Sequence, residues 1–278
     1  MTLVPAGQLV LEAAKASTGI GAFNVIQLEL AEAIVSGAEM ARRPAILAIS
    51  QNATRYHGAF EPIAGACLAL ARASSQPIGV HLDHADDQAL LSEAMDLGID
   101  SVMFDGSRLP DAVNQAATAA LSAICHRRGA SIEAELGQVG GKDGAHAPGA
   151  RTDPGQANRF AEATKVDALA VAVGSSHAMT QRTATLDFDL IAQLNRAVPV
   201  PLVLHGSSGV SEPDLAKAIA AGMTKINIGT LLNQVFTDQV RRELAADPTM
   251  VNTRKYFGPA RQQVALAVAR TISLLHIA

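Results

Sequence analysis

The sequence predicts an α/β fold, a (β/α)8 TIM barrel forming a single domain over residues 1–278, and three observations carry that prediction. Short β-rich runs recur along the whole chain, each followed by an Ala-rich segment with helical spacing. Several of the runs are apolar without strict alternation, as expected of parallel strands covered on both faces. The 278 residues match an eight-unit barrel of roughly 250, with room for one long loop and a C-terminal helical extension. No Pro/Ser linker or charge block divides the chain. A doubly wound open sheet shares the same alternation and is the competing fold.

The runs, in order, are GAFNV at 21–25, AILAIS at 45–50, IGVHLD at 78–83, SVMFD at 101–105, SIEAEL at 131–136, ALAVAV at 168–173, PLVLH at 201–205 and KINIG at 225–229. Helices fill the gaps between them. Asp153 before Pro154 places a capping side chain ahead of proline at the first helical position, and Ser211-Glu-Pro-Asp gives a second start signal. One connection differs: from 137 to about 155 glycine recurs and no apolar period is present. Its place after the fifth strand, on the face where barrel active sites form, favours an active-site lid over a tolerated surface insertion.

Composition narrows the function. The formal charge of -4 offers no basic field, so nucleic acid is a poor partner. Hydrophobic residues are 49% and charged residues 17%, which excludes disorder, while 3% aromatics and no Trp leave Ala, Val, Ile and Leu to build the core. Cys67 and Cys125 lie in apolar stretches without C-x-x-C spacing and read as buried hydrophobes. The N-terminal MTLVPAGQLVLEAAKA lacks a basic start followed by an apolar run, and no segment reaches the ~18 apolar residues of a membrane span. The expectation is a cytoplasmic protein with no membrane partner.

Polar residues gather at the C-terminal ends of the runs: Asn24, Ser50, Asp83, His84, Asp105, Glu135, His205 and Asn227, with His177 just past the sixth. A barrel brings all of them to one rim. For Ser50 and Asp105 a helix cap explains the position as well as a site role does. His84, His177 and His205 are far apart in sequence yet share that rim, and three imidazoles with an open fourth position suit a catalytic zinc ion. Of the other histidines, His57, His126, His146 and His276 read as surface residues and His81 as barrel interior. Asp83, next to His84, would place an acid/base beside a Lewis acid. Glu133 and Glu135 alternate on one face of the fifth strand. Glu135, nearer the rim, is read as part of the metal site, and Glu133 as paired with an arginine lower in the barrel. The turns Gly174-Ser-Ser-His-Ala, Gly206-Ser-Ser-Gly and Ile228-Gly-Thr present backbone N–H groups after the last three strands, where barrels commonly bind phosphate, and Arg182 supplies a nearby cation.

Together these motifs resemble the class II, zinc-dependent fructose-bisphosphate and tagatose-bisphosphate aldolase family. The likeness runs through AFNV at 22, HLDH at 81, DGS at 105, EAELGQVGG at 133, TDP at 152, VDALAVAVGSSH at 166, VPLVLHGSSGV at 200 and KINIGT at 225. It implies one zinc per chain on His84, His177 and His205, Glu135 in or beside the metal shell, and Asp83 as the proton-transferring acid/base. It also implies a dihydroxyacetone phosphate site at Gly206, Ser207, Gly209, Asn227 and Thr230, a monovalent cation near the phosphate, and a homodimer or homotetramer acting on a phosphorylated sugar. The reaction implied is reversible cleavage of a ketose 1-phosphate or bisphosphate to dihydroxyacetone phosphate and an aldehyde.

The departures concern the aldehyde. Relatives that cleave fructose bisphosphate carry Asp, and Arg four residues later, where this chain has Gly229 and Asn233, so an unphosphorylated aldehyde, or one bound differently, is expected. Arg182 stands where relatives usually have Lys, Ala178 where they have Gly, and Asp143 near the lid's usual carboxylate. Arg254 and Arg261 are candidates for an arginine lent between subunits, with surface salt bridges the alternative. An epimerase on the same metal, or a noncatalytic subunit, are the competing readings.

Overall fold

The structure is a computed structural model and describes residues 2–136, 151–177 and 179–276. Eight parallel strands close in sequence order into a barrel: β1 Ile20–Asn24, β2 Ala45–Ser50, β3 Ile78–Ala85, β4 Ser101–Phe104, β5 Ser131–Leu136, β6 Ala168–Val171, β7 Leu202–Leu204 and β8 Met223–Ile228. α1 (Ala6–Lys15) precedes β1, and α2 (Leu28–Ala41) follows it. Then come α3 (Gln51–His57) and α4 (Glu61–Ala73), α5 (Gln88–Asp96), α6 (Asp111–Arg127), α7 (Pro154–Thr164), α8 (Phe188–Ala197), α9 (Glu212–Ala221) and α10 (Thr230–Ala246). The C-terminal extension is α11 (Thr253–Leu275), which packs chiefly on α2 and α10.

The strands divide their two faces sharply. Outward residues such as Leu47, Leu82, Val102, Ile132, Leu204 and Ile226 are sealed beneath the helices in one continuous apolar core. The inner face is mixed: Met103, Ala168, Ala170 and Val203 fill one part, while His81, Asp83, Glu133, Glu135, Lys225 and Asn227 are buried in another. The lower end of the barrel is closed by α1, whose Ala6, Leu9, Val10 and Ala13 pack on Ile20, Ala22, Ile46 and Ala48. Gly79 allows that approach, since a Cβ there would lie 2.7 Å from the Cβ of Ala6.

Both predicted start signals act as caps. Asp153 accepts from the Gln156 N–H at 2.7 Å and Ser211 from that of Asp214 at 3.3 Å, contacts worth about 1 kcal/mol each. Strand ends shift from the sequence reading. β6 stops at Val171 because the backbone of Ala172 bonds instead to Thr152, whose hydroxyl also donates to Leu136 O and ties β5 to β6. β3 runs on to Ala85, so Asp83 and His84 lie inside the strand, not at its end. His57 and His126 are exposed and His81 is interior, but His276 is half-buried, with Nδ1 donating to Ile272 O at the end of α11. The proposed lid, with Asp143 and His146, lies largely outside the described residues, as does Ala178.

Candidate active site

Strict alternation along β3 would send His81 and Asp83 into the barrel and His84 out toward the helices. A bulge prevents this. Pairing with β4 slips between Leu82 and Ala85, and His84 takes a left-handed φ of 48°. Such backbone costs of order 1–3 kcal/mol in a non-glycine residue, and here it turns the imidazole to the mouth beside Asp83. Gln51 steadies the following turn, its Oε1 accepting from the N–H groups of Asp86 at 3.0 Å and Asp87 at 3.1 Å.

At the mouth, His84, His177 and His205 present ring nitrogens that all lie within 4.8 Å of one another. Each of two rings is oriented by a carboxylate. His84 Nδ1 donates to Asp105 at 2.8 Å, and His205 Nε2 donates to Glu133 at 3.1 Å. A carboxylate only accepts, so the opposite nitrogens, His84 Nε2 and His205 Nδ1, carry lone pairs that face each other across 2.9 Å. Burial keeps the His205 ring neutral by pushing its pKa well below the usual histidine value. These two facing nitrogens, with His177 beside them, fit a transition-metal ion. Glu135 and Asp105 form a second such grouping with His84.

Asp83 is buried at 1% exposure and accepts from Asn24 Nδ2 at 2.9 Å and Asn227 Nδ2 at 3.0 Å. Burial alone would raise its pKa, but at the low pH where a carboxyl titrates the protonated rings of His84, His205 and His81, together with Lys225, outweigh it and hold the carboxyl well below the usual range. A cavity of about 330 Å³ opens above these groups and is lined by Asp83, the three histidines and residues following β1, β2, β4, β7 and β8.

The sequence profile described as "Fructose-bisphosphate aldolase class-II" matches residues 4–278. The chain belongs to the class II fructose-bisphosphate aldolase family. As a class II aldolase it is a lyase. It is 36% identical over 269 residues to a Bacillus subtilis (strain 168) protein named "Probable fructose-bisphosphate aldolase", covering 95% of this chain and 94% of that one. The crystal structure of the YdjI aldolase from Escherichia coli K12 superposes with a TM-score of 0.84 at 28% identity, covering 98% of this chain and 97% of the other. A Coccidioides immitis crystal structure reaches 0.87 at 31% identity, covering 98% and 96%.

Within this aldolase the expected site residues divide into two groups. Asn24, Ser50, Gly206, Ser207, Asn227, Gly229 and Thr230 line the cavity with Asp83 and the histidines. The Ser50 hydroxyl also caps α3 by accepting from Ala53 N–H, and that of Ser207 donates to Asn227 O. Gly206 turns left-handed at φ 68°, and a Cβ there would come 2.5 Å from the Ser176 backbone, so the two loops meet only through glycine.

Arg182 and Gly209 are not brought into the main cavity. The Arg182 guanidinium sits 3.3 Å from Glu212, in a separate small recess beside Ser207 and Ser208, because an acidic partner lies at the start of α9. The Gly209 N–H points back to Gly206 O at 3.5 Å, closing the short 3-10 turn Ser207–Gly209. Glu133 pairs with Lys225, not with an arginine. Arg261 pairs with Glu32 of its own chain, and Arg254 hydrogen-bonds Asn252. Sequence reasoning missed Arg55, Arg108 and Asp86, which also line the cavity; they lie beyond strand ends, where charged residues are ordinarily solvated.

Proposed function

We propose that the chain is a zinc-dependent aldolase that cleaves a ketose 1-phosphate to dihydroxyacetone phosphate and an aldehyde without a phosphate of its own. The observation that carries this reading is the buried Asp83 carboxylate beside three converging imidazoles, at the floor of one cavity. His84, His177 and His205 would hold the ion, with Glu135 adjacent. When bound, the ion supplies a Lewis acid that draws electrons from the ketose carbonyl as the carbon–carbon bond breaks.

Asp83 takes the proton from the hydroxyl of the carbon that becomes the aldehyde, and returns it in the condensation direction. Asn24 and Asn227 orient its two oxygens through their amide N–H groups. Asn227 Oδ1 is buried without a hydrogen bond among the described residues, an acceptor suited to a substrate hydroxyl. The phosphate is read at Gly206, Ser207 and Thr230, where α10 begins and backbone N–H groups with the helix dipole favour an anion.

The aldehyde half meets Gly229 and Asn233, which carry no charge. The cavity's arginines, Arg55 and Arg108, follow β2 and β4 instead, and Arg55 lies 3.6 Å from Asp86. The uncharged Gly229 and Asn233 favour ketose 1-phosphates, and Arg55 and Arg108 are the cations that a second phosphate, bound differently, would use. The test is release of dihydroxyacetone phosphate from a panel of both, with zinc-loaded and chelated protein. Zinc-dependent release from 1-phosphates is expected. Equal rates on fructose bisphosphate would overturn the aldehyde assignment, and no release by the zinc-loaded protein would overturn the aldolase reading.

A further inference from the structure

Beneath the mouth, on the inner face of β8, Lys225 is buried at 1% exposure. A lysine in this position must find partners, since an unpaired buried ammonium costs several kcal/mol. Its Nζ donates to Glu133 Oε2 at 2.7 Å and to His81 Nε2 at 3.2 Å. His81 in turn donates from Nδ1 to Ser101 Oγ at 2.8 Å. Burial, reinforced by Lys225, lowers the His81 pKa to about 4, so this ring is a neutral acceptor. The chain Ser101, His81, Lys225, Glu133 and His205 thus crosses the barrel from β4 through β3, β8 and β5 to the loop after β7.

The two oxygens of Glu133 are divided between two donors. Lys225 holds Oε2, which leaves Oε1 for the His205 Nε2–H at 3.1 Å. That bond decides which nitrogen of His205 carries the proton, and so leaves Nδ1 as the bare donor that faces His84 Nε2. We infer that Lys225 is a positioning residue: by gripping one oxygen of Glu133 it fixes the tautomer and direction of His205, and thereby the geometry in which the three histidines accept a metal. Lys225 touches none of those donor nitrogens itself; it acts through Glu133. The inference rests on the reading of His205 as a ligand.

The experiment measures zinc affinity by competition with a chelator for the wild type, His205→Ala, Lys225→Met and the double variant Lys225→Met/Glu133→Gln. Circular dichroism and thermal melts establish which variants fold, and ¹⁵N spectra of the metal-free proteins read the His205 tautomer. The double variant removes both charges of the pair, so it covers the case in which Lys225→Met alone leaves an uncompensated carboxylate and does not fold. His205→Ala is expected to lose zinc most severely. The folded Lys225 variants are expected to bind zinc about 10- to 100-fold more weakly. In the double variant, where Gln can donate to Nε2, His205 should show protonation at Nδ1. A lower melting temperature with zinc affinity within about twofold of wild type and an unchanged His205 signal would overturn the inference, because a purely structural lysine behaves that way. Unchanged zinc binding by His205→Ala would instead overturn the ligand reading beneath it.

Discussion

The two faces of β8 are opposite in chemistry. Ile226 and Ile228 point outward and vanish beneath the helical layer, while Lys225 and Asn227, each one residue away, point into the barrel and are just as buried. The outer residues contribute by excluding water, roughly 1.5–3 kcal/mol for a fully buried aliphatic side chain. The inner ones carry charge and amide groups that would cost stability if unpaired, and they are tolerated because each is bonded to another across the barrel. Burial therefore has two meanings here. Outside the barrel wall it marks what holds the fold together, and inside it marks what the fold holds in place.

Substitutions should separate the two. The largest effect is expected from Asp83→Asn, which removes the proton acceptor: turnover should fall by about 10²- to 10⁴-fold while the protein still folds, as assays beside thermal melts would show. The outer counterpart, Leu47→Ala on β2, should do the reverse. Leu47 is fully buried, so urea titration should give a loss of about 2–5 kcal/mol, with kcat of the folded fraction unchanged. A kcat that fell as steeply as stability would erase the distinction between the faces.

Gly206→Ala tests the rim where the faces meet. The left-handed φ and the Ser176 backbone oppose a methyl group, so KM for the phosphorylated substrate should rise about tenfold, with a stability loss of about 1–3 kcal/mol. Ser50→Ala sharpens the point further. Its hydroxyl caps α3, and a loss of about 1 kcal/mol with kcat/KM retained would assign it to the scaffold, whereas intact stability with weaker substrate binding would assign it to the site. The smallest effect is expected at Cys67 in the outer core, where burial pushes the thiol up to about 12. It should not react with a thiol reagent at pH 8 until the protein is unfolded.

Much of this arrangement was readable from residue order. Hydrophobic runs placed all eight strands, and the histidines and aspartate at or just past the ends of runs three, six and seven marked the rim, because parallel strands in a closed barrel end on one side. What was not readable depends on how distant strands register. Nothing in HLDH announces that His84 takes a left-handed turn, so its direction followed only from the bulge against β4. Glu133 needed a cation, but whether Arg or Lys answers it is set by which side chains meet across the interior, and KINIG reads simply as a strand start. Sequence position points Arg182 to the phosphate, whereas the structure shows its guanidinium beside Glu212 at the start of α9. The role of α1 was equally hidden, since an amphipathic segment ahead of the first strand does not reveal that it closes the barrel.

That closure makes the molecule a cup and not a tube. With Ala6, Leu9, Val10 and Ala13 packed across its base, the cavity over Asp83 and the histidines opens at the rim. An ion held by the histidines and a sugar resting over Asp83 would both enter by that mouth. Each departing product must then clear the mouth before the next sugar can arrive.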